Sequence, residues 1–145
     1  MAVKTSAEGL AWITRREGLR LGAYRDSRGL WTIGVGHLTN DYFPVHPGQI
    51  IGKATALDLL AHDLAEVEAA INRAVKVSLQ QYEFDALASL GYNIGVGGLR
   101  GSAVVHFVNT GHPVQAADAF RHWEHPPELK ARRESERRQF LGLKP

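Results

Sequence analysis

The sequence contains no cysteine and no long apolar run. The absence of cysteine excludes a disulfide scaffold, a zinc ribbon, an iron–sulfur cluster and thiol catalysis. No apolar run approaches the ~18 residues that a membrane-spanning helix needs, so we expect no stable insertion into a membrane. The N-terminal residues also lack an uninterrupted apolar block after a basic start, so we expect no signal peptide.

Recognisable metal-ligand spacing is absent as well. The chain has seven histidines, but together they match no recognisable metal-binding motif. We therefore predict that the protein binds no metal and needs no other cofactor.

The chain has 145 residues and a mildly basic charge balance of +2. That length corresponds to a single domain of ordinary size. The segment 121–145 carries seven basic and four acidic side chains, so the rest of the chain is slightly acidic. A basic patch would suit a polyanion, either nucleic acid or an anionic envelope surface. The alternative is a solvated helix with many salt bridges, and composition alone leaves both interpretations open.

Hydrophobic periodicity predicts a helix first and a small sheet after it. A capping box at Thr5 and Glu8 predicts the start of the first helix, and Gly18 its end. Residues 30–37 are rich in β-branched and aromatic types and follow a turn-forming cluster, which predicts a short hairpin with a third small strand.

The remainder of the chain has helical patterning. An apolar stripe at intervals of three and four residues predicts a long helix over residues 55–75. Further helices are predicted from Ser78 onward, including Val114–Trp123 and Glu128–Leu141. The predicted fold class is thus α+β and mostly helical, in one domain covering 1–145. It divides into an N-terminal lobe (1–53), a connecting helix (55–75) and a C-terminal helical lobe (78–145), and a cleft between such lobes is where ligands bind.

Three polar residues around the predicted hairpin form a pattern with chemical meaning. Glu17 stands at a helix end, where the partial negative charge of the helix disfavours an ionised carboxylate, as a general acid requires. Asp26 follows nine residues later in a polar turn, where a carboxylate stays ionised, and Thr32 lies six residues after that. Two carboxylates in contrasting environments suggest an acid and a base acting on one substrate, as in glycoside hydrolysis. A threonine hydroxyl beside them could hold the attacking water.

The sequence around these residues resembles the signature of the phage-type lysozymes, the endolysins of tailed phages. The matching positions are Glu17-Gly18-Leu19-Arg20-Leu21, Tyr24-x-Asp26 and Gly29-x-x-Thr32-Ile33-Gly34-x-Gly36-His37. A second segment, Asp85-Ala86-Leu87-x-Ser89-Leu90-x-Tyr92-Asn93-Ile94-Gly95, is similar to a helix of that family. The resemblance covers nearly the whole chain and implies a lysozyme-like fold of two lobes.

The resemblance also implies an activity and roles for these residues. It implies a muramidase that cleaves peptidoglycan between N-acetylmuramic acid and N-acetylglucosamine and so lyses the host. Glu17 would be the general acid, while Asp26 and Thr32 would position or activate the water. Inversion at the anomeric carbon is expected, with the two carboxyl groups roughly 6.5–9.5 Å apart.

Secondary roles follow from the same resemblance. His37 and Asp63 would pair and tie the hairpin to the long helix, so His37 is a structural residue. Arg132 would be the counter-ion of Glu17, with Arg133 as the alternative. Leu38 and Asn93 would contact substrate, although Asn93 could instead brace its own helix.

Competing functions have less support in the sequence. A nucleic-acid-binding helical module would use the arginines of 130–138, but acidic residues interrupt them and no aromatic stacking platform is recognisable. A catalytically dead glycan-binding relative would need a broken triad, whereas Glu17, Asp26 and Thr32 are all present. A lytic transglycosylase needs only the acid, so the presence of Asp26 argues against that activity. We therefore expect peptidoglycan strands as the partner, no nucleic acid and a monomer. We also expect synthesis in the host cytoplasm and release to the periplasmic cell wall through a separate holin-type pore.

Overall fold

The computed structural model describes residues 2–145, a mostly helical fold with one small antiparallel sheet. This confirms the predicted α+β class. The helices are α1 (Ala7–Glu17), α2 (Lys53–Ala74), α3 (Gln81–Ile94), α4 (Val96–Arg100), α5 (Ala103–Asn109), α6 (Pro113–Ala119) and α7 (Lys130–Phe140). The strands are β1 (Arg20–Arg25), β2 (Trp31–Gly34) and β3 (His37–Leu38). Across residues 2–145, the helices are too short or too polar to cross a membrane.

The chain forms two compact units. One, here called the sheet unit, is Leu10–Asp63; the other, the helical unit, joins the residues up to Gly9 with Leu64–Pro145. The three-part division predicted at 1–53, 55–75 and 78–145 stays a prediction.

The sheet unit contains the strands in the order β1-β2-β3, and their register sorts side chains to two faces. Thr32 lies opposite Tyr24 on β1 and opposite Leu38 on β3, so these three side chains share one face. Trp31 pairs with Arg25 and therefore belongs to the other face. That face covers a core cluster of Ile33, Val45 and Leu59, against which Trp31 packs.

Helix α1 ends where the sequence predicts but begins later. Gly18 has φ of +85° and its N–H donates to the Thr14 carbonyl at 2.8 Å, which ends the helix and turns the chain into β1. The predicted cap at Thr5 is wrong, because the Ser6 hydroxyl accepts from the Gly9 N–H at 3.1 Å and the helix starts at Ala7. A long-range contact selects Ser6, whose N–H and hydroxyl both donate to the Asp85 carboxylate.

Helix α3 is the framework of the helical unit. Its polar residues Asp85, Ser89 and Asn93 are four positions apart and therefore lie along one face. Asp85 binds Ser6, the Ser89 hydroxyl donates to Glu136, and Asn93 binds Arg133. The segment that resembles the lysozyme helix motif thus fastens α3 to the N-terminal segment and to α7.

Other helix boundaries differ from those predicted. Helix α3 begins at Gln81 instead of following a Ser78 cap, because the Glu83 carboxylate accepts from the Gln80 N–H at 2.7 Å. The helix predicted over Val114–Trp123 is α only to Ala119 and continues as a 3-10 turn. The last helix begins at Lys130, after a 3-10 turn over Pro127–Leu129.

The basic C-terminal segment is held by internal ion pairs. Arg137 contacts Asp118 at 3.0 Å and Glu134 at 3.2 Å, and Arg121 lies 3.7 Å from Glu134. The Arg138 side chain donates to the Lys144 carbonyl. Of the two interpretations of this segment, these contacts favour the helix with many salt bridges.

Candidate active site

Glu17 is the last residue of α1 and is partly exposed. The positive φ of Gly18 fixes this position, because glycine reverses the chain at no steric cost and ends the helix directly after the glutamate. Glu17 therefore lies at the carbonyl end of α1, directly before the chain enters the sheet.

Asp26 is held by the turn between β1 and β2. Its Oδ1 accepts from the N–H groups of Arg28 at 2.8 Å and Leu30 at 3.0 Å, and the Arg28 guanidinium lies 3.2 Å from Oδ2. These contacts lower the pKa of Asp26 below its ordinary value of 3.8, with the Leu30 N–H as the largest cause. Asp26 is therefore ionised at neutral pH and can accept a proton.

Thr32 is buried in β2, and only 2% of its surface is exposed. Its hydroxyl donates to the Leu30 carbonyl at 2.9 Å. Because a hydroxyl has one proton and two lone pairs, this bond orients Oγ1 as an acceptor for another donor, such as a water.

Leu30 links the two residues through its backbone. Its N–H binds the Asp26 carboxylate, and its carbonyl binds the Thr32 hydroxyl. The Asp26 N–H also donates to the same carbonyl at 2.9 Å. This role has no side-chain signature, so sequence analysis could not find it.

Tyr24 is a further residue of this region, and its motif position alone indicates no role. It lies opposite Thr32 in the sheet. Burial raises the pKa of Tyr24 above 10.0, Arg20 lowers it, and the negative charges of Glu17 and Asp26 raise it further. The phenol therefore keeps its proton, and both predicted catalytic carboxylates act on it electrostatically.

The two predicted substrate contacts belong to different units. Leu38 is 38% exposed and stands beside Thr32 on the same sheet face. Asn93 lies in the helical unit, where its side-chain oxygen accepts from Arg133 at 2.6 Å. That bond favours a bracing role for Asn93, whereas Leu38 has the exposure that a substrate contact needs.

His37 and Asp63 are in direct contact. The Nδ1 of His37 lies 2.7 Å from the Asp63 carboxylate, and Nε2 lies 2.9 Å from the Phe43 carbonyl. Burial alone would lower the pKa of His37, but the hydrogen bonds to Asp63 and Phe43 and the charge of Asp63 hold it above 6.5. Across residues 2–145, no group of three or more acidic, histidine or cysteine side chains is arranged to hold a metal ion.

Arg132 and Arg133 both bind Glu136 in the helical unit. Arg133 and Glu136 are fully buried and lie 2.9 Å apart, and Arg132 approaches the other carboxylate oxygen at 3.3 Å. The Ser89 hydroxyl donates to that second oxygen. The predicted contact of Arg132 or Arg133 with Glu17 stays a prediction.

Comparison with known proteins gives a consistent result. The phage lysozyme family model matches residues 14–136. The chain is 42% identical to the endolysin of Salmonella phage P22, with 97% of this chain and 99% of the relative covered. It is 37% identical to the endolysin of Bacillus phage B103 over 94% of this chain, but it spans only 53% of that longer relative.

Solved structures agree with these matches. The endolysin of Escherichia coli O157:H7 phage FAHEc1 superposes with a TM-score of 0.95 at 36% identity, covering 100% of this chain and 98% of the other. The muramidase domain of SpmX from Asticaccaulis excentricus superposes with a TM-score of 0.86 at 35% identity, covering 95% and 97% of the two chains. With the family model matched from α1 to α7, the chain belongs to the phage lysozyme family.

Proposed function

We propose that Glu17, Asp26 and Thr32 carry out the hydrolysis that this lysozyme performs. The protein is a glycoside hydrolase that degrades peptidoglycan and lyses the bacterial host, as its family and its endolysin relatives support. The bond cut is the β-1,4 linkage between N-acetylmuramic acid and N-acetylglucosamine.

Glu17 acts as the general acid in this mechanism. Its carboxyl proton passes to the glycosidic oxygen as the bond from that oxygen to the anomeric carbon breaks, so the leaving sugar departs as a neutral alcohol. The position of Glu17 at the end of α1, directly before the sheet that carries Thr32 and the turn that carries Asp26, supports this role.

Asp26 and Thr32 supply the attacking water. The water oxygen bonds to the anomeric carbon while one of its protons passes to the Asp26 carboxylate, and the Thr32 Oγ1 accepts a hydrogen bond from the same water. The observation that carries this proposal is the double use of Leu30, whose N–H binds Asp26 and whose carbonyl binds Thr32. Hydrogen bonds to the backbone of one residue thereby hold both groups that would bind the water.

Inversion of configuration follows if the water attacks from the face opposite to the leaving group. Room for that water requires roughly 6.5–9.5 Å between the carboxyl groups of Glu17 and Asp26. Asp26 suits the role of base, because its hydrogen bonds keep it ionised at the pH at which Glu17 must be protonated.

Digestion of purified peptidoglycan tests the proposal. Mass spectrometry of the released fragments should find hydrated N-acetylmuramic acid at the reducing ends, and NMR of fresh product should find the α-anomer. A 1,6-anhydro product would instead identify a lytic transglycosylase. Binding without any fragment release would identify a glycan-binding protein.

We also propose that the lysozyme works as a monomer and reaches the periplasmic cell wall from the host cytoplasm through a separate holin-type pore. The analogy with phage endolysins supports this route. A relative in Enterobacteria phage P21, 36% identical, carries the name SAR-endolysin. Export of this chain without a holin is the competing proposal. Expression with and without a holin distinguishes them, since lysis should require the holin, and light scattering of the purified protein measures its mass.

A further inference from the structure

Arg20 is a cation on the face of the sheet that holds Thr32. It is exposed at the start of β1, and its guanidinium carbon lies 3.9 Å from the centre of the Tyr24 ring. Tyr24 in turn lies opposite Thr32. The stacking contact orients the guanidinium beside the proposed water-binding residues.

The geometry of this contact leaves hydrogen-bonding capacity for a ligand. A guanidinium that stacks on a ring uses its flat face, while its five N–H donors point outward in the plane. Those donors match a carboxylate, which can accept two of them side by side. The Tyr24 ring is itself half-buried against the sheet, so Arg20 has a firm support.

The surrounding charges explain why a cation is useful here. The phenol of Tyr24, on which Arg20 stacks, lies within electrostatic reach of Glu17 and Asp26. An anionic substrate approaching the ionised Asp26 would be repelled, and a neighbouring arginine offsets that repulsion. Peptidoglycan is such a substrate, because its muramic acid residues carry stem peptides with free carboxylates.

We propose that Arg20 is a specificity-determining residue that binds a stem-peptide carboxylate of the glycan strand being cut. The assignment rests on the proposed function, and it adds selection for the charged peptide to the cleavage chemistry. Tyr24 serves as the platform that positions the Arg20 guanidinium.

Arg25 is a matched control on the same strand. Its guanidinium also lies over an aromatic ring, 5.0 Å from the centre of Trp31, and it is also exposed. However, the Arg25–Trp31 pair occupies the opposite face of the sheet, away from Tyr24 and Thr32. Replacing Arg25 therefore removes the same charge and the same kind of stacking contact, but from the face of the sheet that lacks Tyr24 and Thr32.

The experiment compares two forms of one substrate. Soluble peptidoglycan fragments with intact stem peptides are used either with free carboxylates or after conversion of those carboxylates to carboxamides. We expect the parent to have a kcat/KM about fivefold higher on the free form at low salt, as one well-formed ion pair would give. Arg20→Gln should cut both forms at the rate at which the parent cuts the amidated one. Arg25→Gln should keep the preference of the parent, and Arg20→Lys should keep part of it.

The possible failures have different meanings. If Arg20→Gln retains the preference, or if the parent has none, the assignment of Arg20 is overturned while the hydrolase function stands. An equal loss on both forms, in a variant with parental melting temperature, would mean that Arg20 positions the catalytic groups instead and also overturns carboxylate binding. If the parent cuts neither form, the proposed function itself fails, and the assignment fails with it.

Discussion

The buried ring of His37 is hydrogen-bonded to the Asp63 carboxylate through Nδ1. The Asp63 carboxylate and the Phe43 carbonyl, its two partners at 2.7 and 2.9 Å, can only accept hydrogen bonds. A protonated His37 can donate to both acceptors at once, so these contacts favour a cationic ring although only 1% of its surface is exposed. The raised pKa of His37 agrees with this protonation state. The contact fixes β3 to the middle of the long helix α2, within the sheet unit.

Replacing Asp63 should therefore make stability depend less on pH. Because the pKa of His37 is raised on folding, the stabilisation from its charge is fully present below ~6.5 and is lost as pH rises through the folded value. Asp63→Asn should lower the free energy of unfolding by about 1–2 kcal/mol at pH 5–6. The difference from the parent should shrink towards pH 9. Thermal or urea unfolding across pH 5–9 measures it.

Asp58→Asn is the control for this experiment, since Asp58 is exposed on the same helix. It should change stability little at every pH, as is usual for an exposed side chain. A difference between parent and Asp63→Asn that stays constant or grows as pH rises would contradict a charged His37.

Local patterns predicted most of the elements that carry the candidate site. The turn residues 26–29 and the β-branched run after them predict the hairpin, and Gly18 predicts the end of α1, because each depends on neighbours in sequence. Glu17, Asp26 and Thr32 all lie in this one segment, which runs from the end of α1 to β2. That is why a motif of sixteen residues could indicate the chemistry.

Long-range contacts account for what the sequence did not predict. Thr5 and Ser6 are equally good caps by residue type, and Asp85, 79 positions away from Ser6, selects the serine. The backbone role of Leu30 and the stacking of Arg20 on Tyr24 depend on strand register, which spacing does not specify. Likewise, a count of basic residues in 121–145 could not distinguish a free basic patch from paired arginines.

Glu136 should be a major determinant of stability in the helical unit. It is fully buried with Arg133, and Arg132 and Ser89 also bind it. Glu136→Gln would leave the buried Arg133 charge without its counter-charge, so the free energy of unfolding should fall by about 3–5 kcal/mol. Denaturant unfolding monitored by circular dichroism gives the value.

Glu134→Gln is the matched control, two positions away on α7. The Glu134 side chain is 44% exposed, and it pairs with Arg121 and Arg137 near the surface. Such exposed pairs contribute about 0–1 kcal/mol, so the control should be close to the parent. If both variants lost the same free energy of unfolding, the burial of Glu136 would not explain its contribution to stability.

The Thr32 hydroxyl should matter for catalysis through its acceptor capacity. Thr32→Val keeps the shape but removes Oγ1, so it should lower kcat by about 10- to 100-fold through misplacement of the water. Thr32→Ser retains the hydroxyl and its bond to the Leu30 carbonyl, and should keep most of the activity. Rates on purified peptidoglycan, with melting temperatures for both variants, separate catalysis from stability. Comparable rates for the valine and serine variants would rule out the water-holding role.

Glu17→Gln should abolish lysis while leaving the fold intact. Glutamine has the shape of glutamate at the end of α1 but cannot deliver a proton to the glycosidic oxygen, so the rate should fall by about 100- to 10,000-fold. Turbidity of outer-membrane-permeabilised bacteria measures lysis, and circular dichroism verifies the fold. Glu8→Gln is the control on the same helix, because Glu8 is exposed in the first turn and its loss should leave lysis unchanged. If Glu17→Gln cleared cells at the parental rate, Glu17 would not be the acid, because glutamine cannot donate the proton that the mechanism requires.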